Sequence, residues 1–382
     1  MEKDRERTDS MRDVVKSRGI TIGLIAPFPP PLGGMAIQAT KLAENLTKEG
    51  FNVVNIATNL RLPKPLGPLE TLAGVRTIAR SICLLEKIRR DSVRIDVFYF
   101  LTGFFDFFFW VTMPVLLLLK MKGSRVVLSA RGGDAGRFFA RWKPFVKPVL
   151  AVPQTITVPS AFLQHQFSKH LGIKTLVVPN IADLDQFHFR SRRQLRPRFI
   201  ATRHLEKMYN VGCVIHAFKK IAEAYPESTL TIVGDGSQKV PLQGLAHSLG
   251  LNGRVAFLGR VPHEQLPALY DSHDIFINAS NVDNMPGAIL EAFASGLPVV
   301  TTRAGGIPFL VEHEKTGFTV DLDDSGALAR FAMALLENPE SAQAIARNAF
   351  HYVQNCSWSN VRRTLVPLLD PEKPVLRGEM NG

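Results

Sequence analysis

Apolar positions recur along this chain in two rhythms, short β-branched runs and longer stretches at helical spacing, and their alternation predicts α/β layers. Residues 20–26 form a first strand, followed by PFPPPLGG. A helix over about 35–49 comes next, with Ile37, Leu42, Ala43 and Leu46 inward, and then a strand over 51–57. The second half repeats the rhythm. Strands at 199–202, 230–233, 255–258, 275–279 and 318–320 alternate with helices at 211–224, 266–272, 325–336 and 340–353.

Two stretches depart from this regular pattern. Residues 97–119, VFYFLTGFFDFFFWVTMPVLLLL, are apolar for long enough to cross a bilayer, but Asp106 and Pro114 interrupt them and a strand at 125–129 follows almost at once. A strand at 97–100 plus a buried helix accounts for them more economically. Residues 283–310, DNMPGAILEAFASGLPVVTTRAGGIPFL, read as a loop, a short helix, a tight turn, a buried strand and a second glycine loop. Asn284 can cap that helix, Pro286 suits its first turn, and Ile289, Leu290, Phe293 and Leu297 share a face. Gly296 and Pro298 end it, and Val299 to Thr302 suits a strand covered on both faces.

Two acids in the second stretch call for partners. Glu291 sits among apolar neighbours, and its side chain leans toward the helix N-terminus, where open N–H groups and the dipole favour a phosphate. With Asp283 just before the helix, a ligand carrying polyol hydroxyls beside a diphosphate satisfies both acids. A cap role for Asp283 and an arginine partner for Glu291 would do so equally.

Composition narrows the choice. A chain of 382 residues with 46% apolar content suits two ordinary domains. The formal charge of +12 points to an anionic partner, whether nucleic acid, anionic lipid or a diphosphate. Cys83, Cys213 and Cys356 show no metal spacing and suit reduced thiols of a cytoplasmic protein. His263 and His273 lack partners at ligand spacing and read as surface or turn histidines, so no metal site is expected. The first 18 residues mix both charge signs without an apolar core, which suits a mobile tail and excludes a secretory signal. The basic, aperiodic residues 187–198 read as an interdomain linker, and no nucleic-acid recognition motif is present.

The spacing from Asp283 to Glu291, with EAFASGLPVV and GGIP, resembles the nucleotide-sugar site of glycosyltransferase family 4, where Glu usually stands in place of Asp283. The resemblance runs from about Ile20 to Trp358. It implies a GT-B fold, in which two Rossmann-like α/β domains face each other across a cleft and a C-terminal helix crosses back to the N-terminal domain. The expected division is a tail over 1–18, an acceptor domain over 19–187, a donor domain over 188–356, and the crossing helix and tail over 357–382.

The same resemblance implies roles for particular residues. Asp283 would hold the sugar hydroxyls, Glu291 the ribose hydroxyls, and Met285, Pro286, Gly287 and Ala288 the helix end facing the diphosphate. Gly33 and Gly34 match the family's glycine loop, although a tight turn explains them as well. Arg131, in SARGGDAGRF, matches a position that faces the transferred sugar, with Asp134 behind it; a surface ion pair between the two is the alternative. Gly234 matches a turn beside the nucleotide. In RHLEKMYNVG the register of the family's Arg and Lys slips, so that His204 and Tyr209 take their slots and Arg203 and Lys207 stand nearby as candidates. Val158-Pro159-Ser160 and PNIAD, with Asp183 in its acid position, match two further signatures.

The implied activity is a retaining, metal-independent hexosyl transfer from a nucleotide-diphosphate sugar to a glycan or lipid-linked acceptor, with no cofactor, in bacterial surface polysaccharide synthesis. A non-catalytic nucleotide-sugar or glycan-binding module, a nucleotide-sugar epimerase and a glycan phosphorylase could share the scaffold. The aromatic and basic residues near 97–147 suggest peripheral contact with an anionic membrane, at the inner face of the cytoplasmic membrane.

Overall fold

The computed structural model describes residues 19–30, 33–62, 71 and 73–370. The charged segment 1–18, the last dozen residues and two members of the first glycine loop, Pro31 and Leu32, lie outside the described residues. The chain divides into two compact units, residues 1–181 with 361–382, and residues 182–360.

The first unit is a six-stranded parallel sheet in the order β2-β1-β3-β4-β5-β6. Its strands are β1 Thr21–Ala26, β2 Asn52–Ala57, β3 Val97–Thr102, β4 Arg125–Ala130, β5 Thr155–Val158 and β6 Leu176–Val177. The helices are α1 Gly34–Lys48, α2 Ala73–Asp91, α3 Met113–Met121, α4 Ala135–Leu150 and α5 Ala161–Leu171. Every residue of β3 is buried, as expected of a central parallel strand covered on both faces. The apolar stretch after it forms a π-helical segment, Phe108–Thr112, leading into α3. No helix among the described residues is long and apolar enough to cross a membrane.

The second unit repeats the architecture in the order β12-β11-β10-β7-β8-β9. Strands β7 Arg198–Thr202, β8 Thr229–Val233, β9 Val255–Gly259, β10 Ile275–Asn278, β11 Val299–Thr302 and β12 Phe318–Val320 are all parallel. Helices α6 Val211–Ala224, α7 Lys239–Ser248, α8 Leu266–Ser272, α9 Gly287–Ala294, α10 Ser325–Glu337 and α11 Pro339–Gln354 cover it. The order reverses between β7 and β10, the kind of switch point beside whose strand carboxyl ends open parallel sheets bind ligands. The last helix, α12 Trp358–Leu369, counts with the first unit from Val361 onward. Arg362 pairs with Glu49 at 2.7 Å, and Arg125 donates to the Leu368 carbonyl at 3.3 Å.

The segment expected as a linker, 187–198, lies within the second unit instead. Phe187 is fully buried in that unit's core, stacked edge-on against Tyr270. Arg192 is buried as well, and its guanidinium donates to the carbonyls of Arg190, Tyr270, His273, Ser295 and Gly296 at 2.8–3.1 Å. One arginine thus closes the C-terminal ends of α8 and α9, whose last carbonyls have no helical donor. Asp274 supplies the counter-charge at 3.7 Å, while burial draws the guanidinium pKa down to about 10. Nothing in the order of the basic run reveals that carbonyls of two helices converge on it.

Candidate functional site

An ion pair lies at the β7/β10 reversal. Arg203, the first residue after β7, binds the Asp283 carboxylate through one terminal nitrogen, which also lies 3.4 Å from the Ser280 hydroxyl. Its guanidinium stacks on the Tyr209 ring with its carbon 4.3 Å from the centroid. Burial pushes the Arg203 pKa down, opposed by the neighbouring tyrosines and by the charge on Glu291. Asp283 is held from both sides. Its other oxygen accepts from the Asn284 amide at 2.9 Å, and its carbonyl accepts from the Gly306 amide at 3.0 Å. A Cβ on Gly306 would lie 2.3 Å from the Asn284 carbonyl, so the GGIP glycine is what lets the loop after β11 support Asp283.

Asn284 does not cap the following helix. Pro286 occupies the cap position of α9 in extended conformation, and its carbonyl accepts from Ile289 at 3.2 Å. Asn284 is instead buried against Gly306. Proline at the cap leaves the N–H groups of Gly287 and Ala288 at the helix start, where no intrahelical acceptor exists. Glu291 leans back over this end, with one carboxylate oxygen 3.9 Å from where a Gly287 Cβ would lie.

Glu291 is partnered by Tyr270 and forms no ion pair with arginine among the described residues. The buried Tyr270 hydroxyl donates to Glu291 Oε2 at 3.0 Å and meets Thr202 Oγ1 at 2.6 Å. A phenol has one proton, so Thr202 donates and Tyr270 passes its own to the carboxylate. Burial, then the Glu291 charge, raises the Tyr270 pKa well above its ordinary value, which keeps it a donor. Chain order hid Tyr270 and Ser280, because each belongs to a separate element and only the fold converges them, while Tyr209, which takes the Lys slot, serves as a ring beneath Arg203.

Gly234 ends β8 at φ +141°, and a Cβ there would fall on the Arg203 carbonyl. The turn therefore backs the Arg203 main chain, and only glycine permits the approach. Lys207 is exposed on a 3-10 turn, and no contact joins it to Arg203 or Asp283 among the described residues. His204 is likewise exposed. The buried Met285 completes the loop between Asp283 and α9.

The first unit holds the remaining candidates. Arg131 follows β4 and is buried, donating to the Ser129 hydroxyl at 3.2 Å and to the side-chain carbonyl of Asn180, the Asn of the PNIAD segment. Asp134 pairs with Arg137 at 3.8 Å rather than with Arg131. Arg131 thus has neutral partners in the Ser129 hydroxyl and Asn180 amide, and burial lowers its pKa. Gly33 caps α1, and a Cβ on either Gly33 or Gly34 would meet nothing within 4 Å, so local packing does not demand glycine there.

His273 contradicts its reading as a surface residue. It is buried, with Nδ1 2.6 Å from the Leu269 carbonyl and Nε2 2.8 Å from Thr231 Oγ1. His263 is half-buried beside Phe187. No group of three or more His, Cys, Asp or Glu able to hold a metal occurs among the described residues.

Residues 185–352 match the family model described as glycosyl transferases group 1. The chain is 30% identical to the D-inositol 3-phosphate glycosyltransferase of Corynebacterium efficiens, over 86% of this chain and 88% of that one. It is 26% identical to the GDP-mannose-dependent alpha-(1-6)-phosphatidylinositol monomannoside mannosyltransferase of Mycolicibacterium smegmatis, over 87% of each. Among solved structures, sucrose-phosphate synthase from Thermosynechococcus elongatus superposes with a TM-score of 0.75 at 19% identity, over 91% of this chain and 98% of that one. Anabaena HepE in complex with UDP and glucose gives 0.68 at 19% identity, over 92% and 99%. The fold is of the GT-B type.

Proposed function

The chain belongs to the group 1 glycosyltransferases, and from that premise we propose that it moves a hexosyl group from a nucleotide-diphosphate sugar to a hydroxyl of a glycan or lipid-linked acceptor with retention. Glu291, held by Tyr270, takes the ribose hydroxyls. Asp283 takes hydroxyls of the transferred sugar, and Arg203, Lys207 and the N–H groups at the start of α9 take the diphosphate. The C1–O bond to the β-phosphate breaks while the acceptor oxygen bonds to C1 from the same face, and the acceptor proton passes to the departing phosphate. Negative charge grows on that phosphate, where the guanidinium and helix dipole stabilise it without a metal or other cofactor.

The observation that carries this reading is the pairing of Arg203 with Asp283 beside a Tyr270-braced Glu291, all at one sheet reversal. The acceptor's lipid linkage is drawn from the phosphatidylinositol named for the Mycolicibacterium relative, and it suits work at the inner face of the cytoplasmic membrane in surface-polysaccharide synthesis. A panel of nucleotide sugars tested for thermal stabilisation, with and without Glu291→Ala, provides the test. One donor class stabilises the wild type, the variant loses the response, and nucleotide diphosphate is released only when an acceptor is supplied. Stabilisation without acceptor-dependent release would instead support a binding module.

A further inference from the structure

Three helices of the first unit, α2, α3 and α4, carry apolar side chains that the unit does not bury. On α2, Val75, Ile78 and Ile82 are 43%, 46% and 60% exposed. At about 100° per residue they share one stripe, opposite the buried Leu84 and Ile88. Trp110, Leu117 and Met121, along the π-helical segment and α3, are 46%, 45% and 78% exposed, and Phe145 on α4 is 63% exposed.

The three helices are laterally linked. The Ser81 hydroxyl of α2 donates to the Trp110 carbonyl at 2.7 Å, and Phe109 meets Trp142 of α4 edge-on at 5.1 Å. Trp142 then contacts Phe145 at 6.2 Å, so the aromatic ridge continues from one helix to the next.

Charge on this ridge has one predominant sign. Helix α4, AGRFFARWKPFVKPVL, carries Arg137, Arg141, Lys143 and Lys147 and no acid, and all four are exposed. Exposed Lys120 and Lys122 flank Met121 at the end of α3. The Arg141 guanidinium lies 5.2 Å from the Trp142 ring centroid, which sets one of these cations directly against the aromatic ridge.

We infer that this surface docks on an anionic lipid bilayer, with the exposed Trp, Phe and aliphatic side chains entering the interface and the cations meeting lipid phosphates. Aliphatic and aromatic tips ringed by Lys and Arg match the depth profile of a headgroup region. A second copy fits less well, because a two-fold contact through this face would set the basic strip against itself. The inference goes beyond the transferase reading, since binding is measured without donor or acceptor and its failure leaves that reading intact.

Sedimentation of the full chain with phosphatidylglycerol–phosphatidylcholine vesicles should show binding that weakens as salt rises, with little binding to phosphatidylcholine alone. Arg141→Glu with Lys143→Glu should reduce partition by about tenfold or more. Trp110→Ser with Phe145→Ser should also reduce it, and neither pair should change nucleotide-diphosphate binding. If either pair fails to fold, quenching of wild-type tryptophan fluorescence by brominated phosphatidylglycerol reads the same contact. Absence of binding and quenching, binding that ignores lipid charge, or self-association abolished by these substitutions without vesicle binding overturns the inference.

Discussion

A single hydroxyl decides how Glu291 presents itself. Without the Tyr270 phenol, a half-buried carboxylate at the start of α9 would swing among rotamers, whereas the 3.0 Å bond fixes one oxygen and leaves the other toward Gly287. Removing a hydrogen bond to a charged group costs about 1.5–3 kcal/mol, so Tyr270→Phe should weaken nucleotide-diphosphate binding by roughly tenfold to a hundredfold. Titration calorimetry checks this, and unchanged affinity would mean that Glu291 does not meet the nucleotide. The acid itself was readable from sequence, because a carboxylate among Ala288, Ile289, Leu290 and Phe293 demands a partner. Its brace was not readable. Tyr270 lies 21 residues away in another helix, and neither spacing nor composition links the two.

At the scale of elements, the chain was legible where periodicity and breakers agreed. The strand Val299–Thr302 and the helices Val211–Ala224 and Leu266–Ser272 occur where their patterns set them. Arg192 of the 187–198 segment and His273 are both polar fillers of helix ends: Arg192 gathers carbonyls from two helices far along the chain, whereas His273 turns back on Leu269 of the helix before it and meets Thr231 of β8. His273 donates from Nδ1 to the Leu269 carbonyl, which can only accept, and its Nε2 meets the Thr231 hydroxyl at 2.8 Å. Burial lowers its pKa below the ordinary 6.5. The folded state therefore binds fewer protons than the unfolded chain. Its contribution is complete above pH 6.5 and is lost as pH falls through the depressed folded value, at up to about 1.4 kcal/mol per pH unit. Urea midpoints measured from neutral to mildly acidic pH should show this decline. His273→Asn keeps a donor for Leu269 without a titrating ring, so it should flatten the slope even though it lowers stability overall; an unchanged slope would assign the decline to other groups.

For the whole molecule, each unit has its own parallel sheet and its own buried core. The candidate donor groups Arg203, Lys207, Gly234, Asp283 and Glu291 all belong to the second unit, while Gly33, Gly34 and Arg131 belong to the first. A ligand that binds one native unit raises the unfolding free energy of that unit, by about 2.7 kcal/mol at a hundredfold excess over its dissociation constant. Nucleotide diphosphate alone should therefore slow amide exchange at 203–209, 234–238 and 283–291 and raise the protection of the slowest amides in β7 and β10. The slowest amides of β3 and β4 should keep their protection, because their opening does not disturb the nucleotide's contacts. Hydrogen exchange followed by mass spectrometry separates the two sets of peptides. Equal gains in both cores would mean that the two sheets unfold as one cooperative body, and gains confined to the first unit would move the nucleotide off Glu291 altogether.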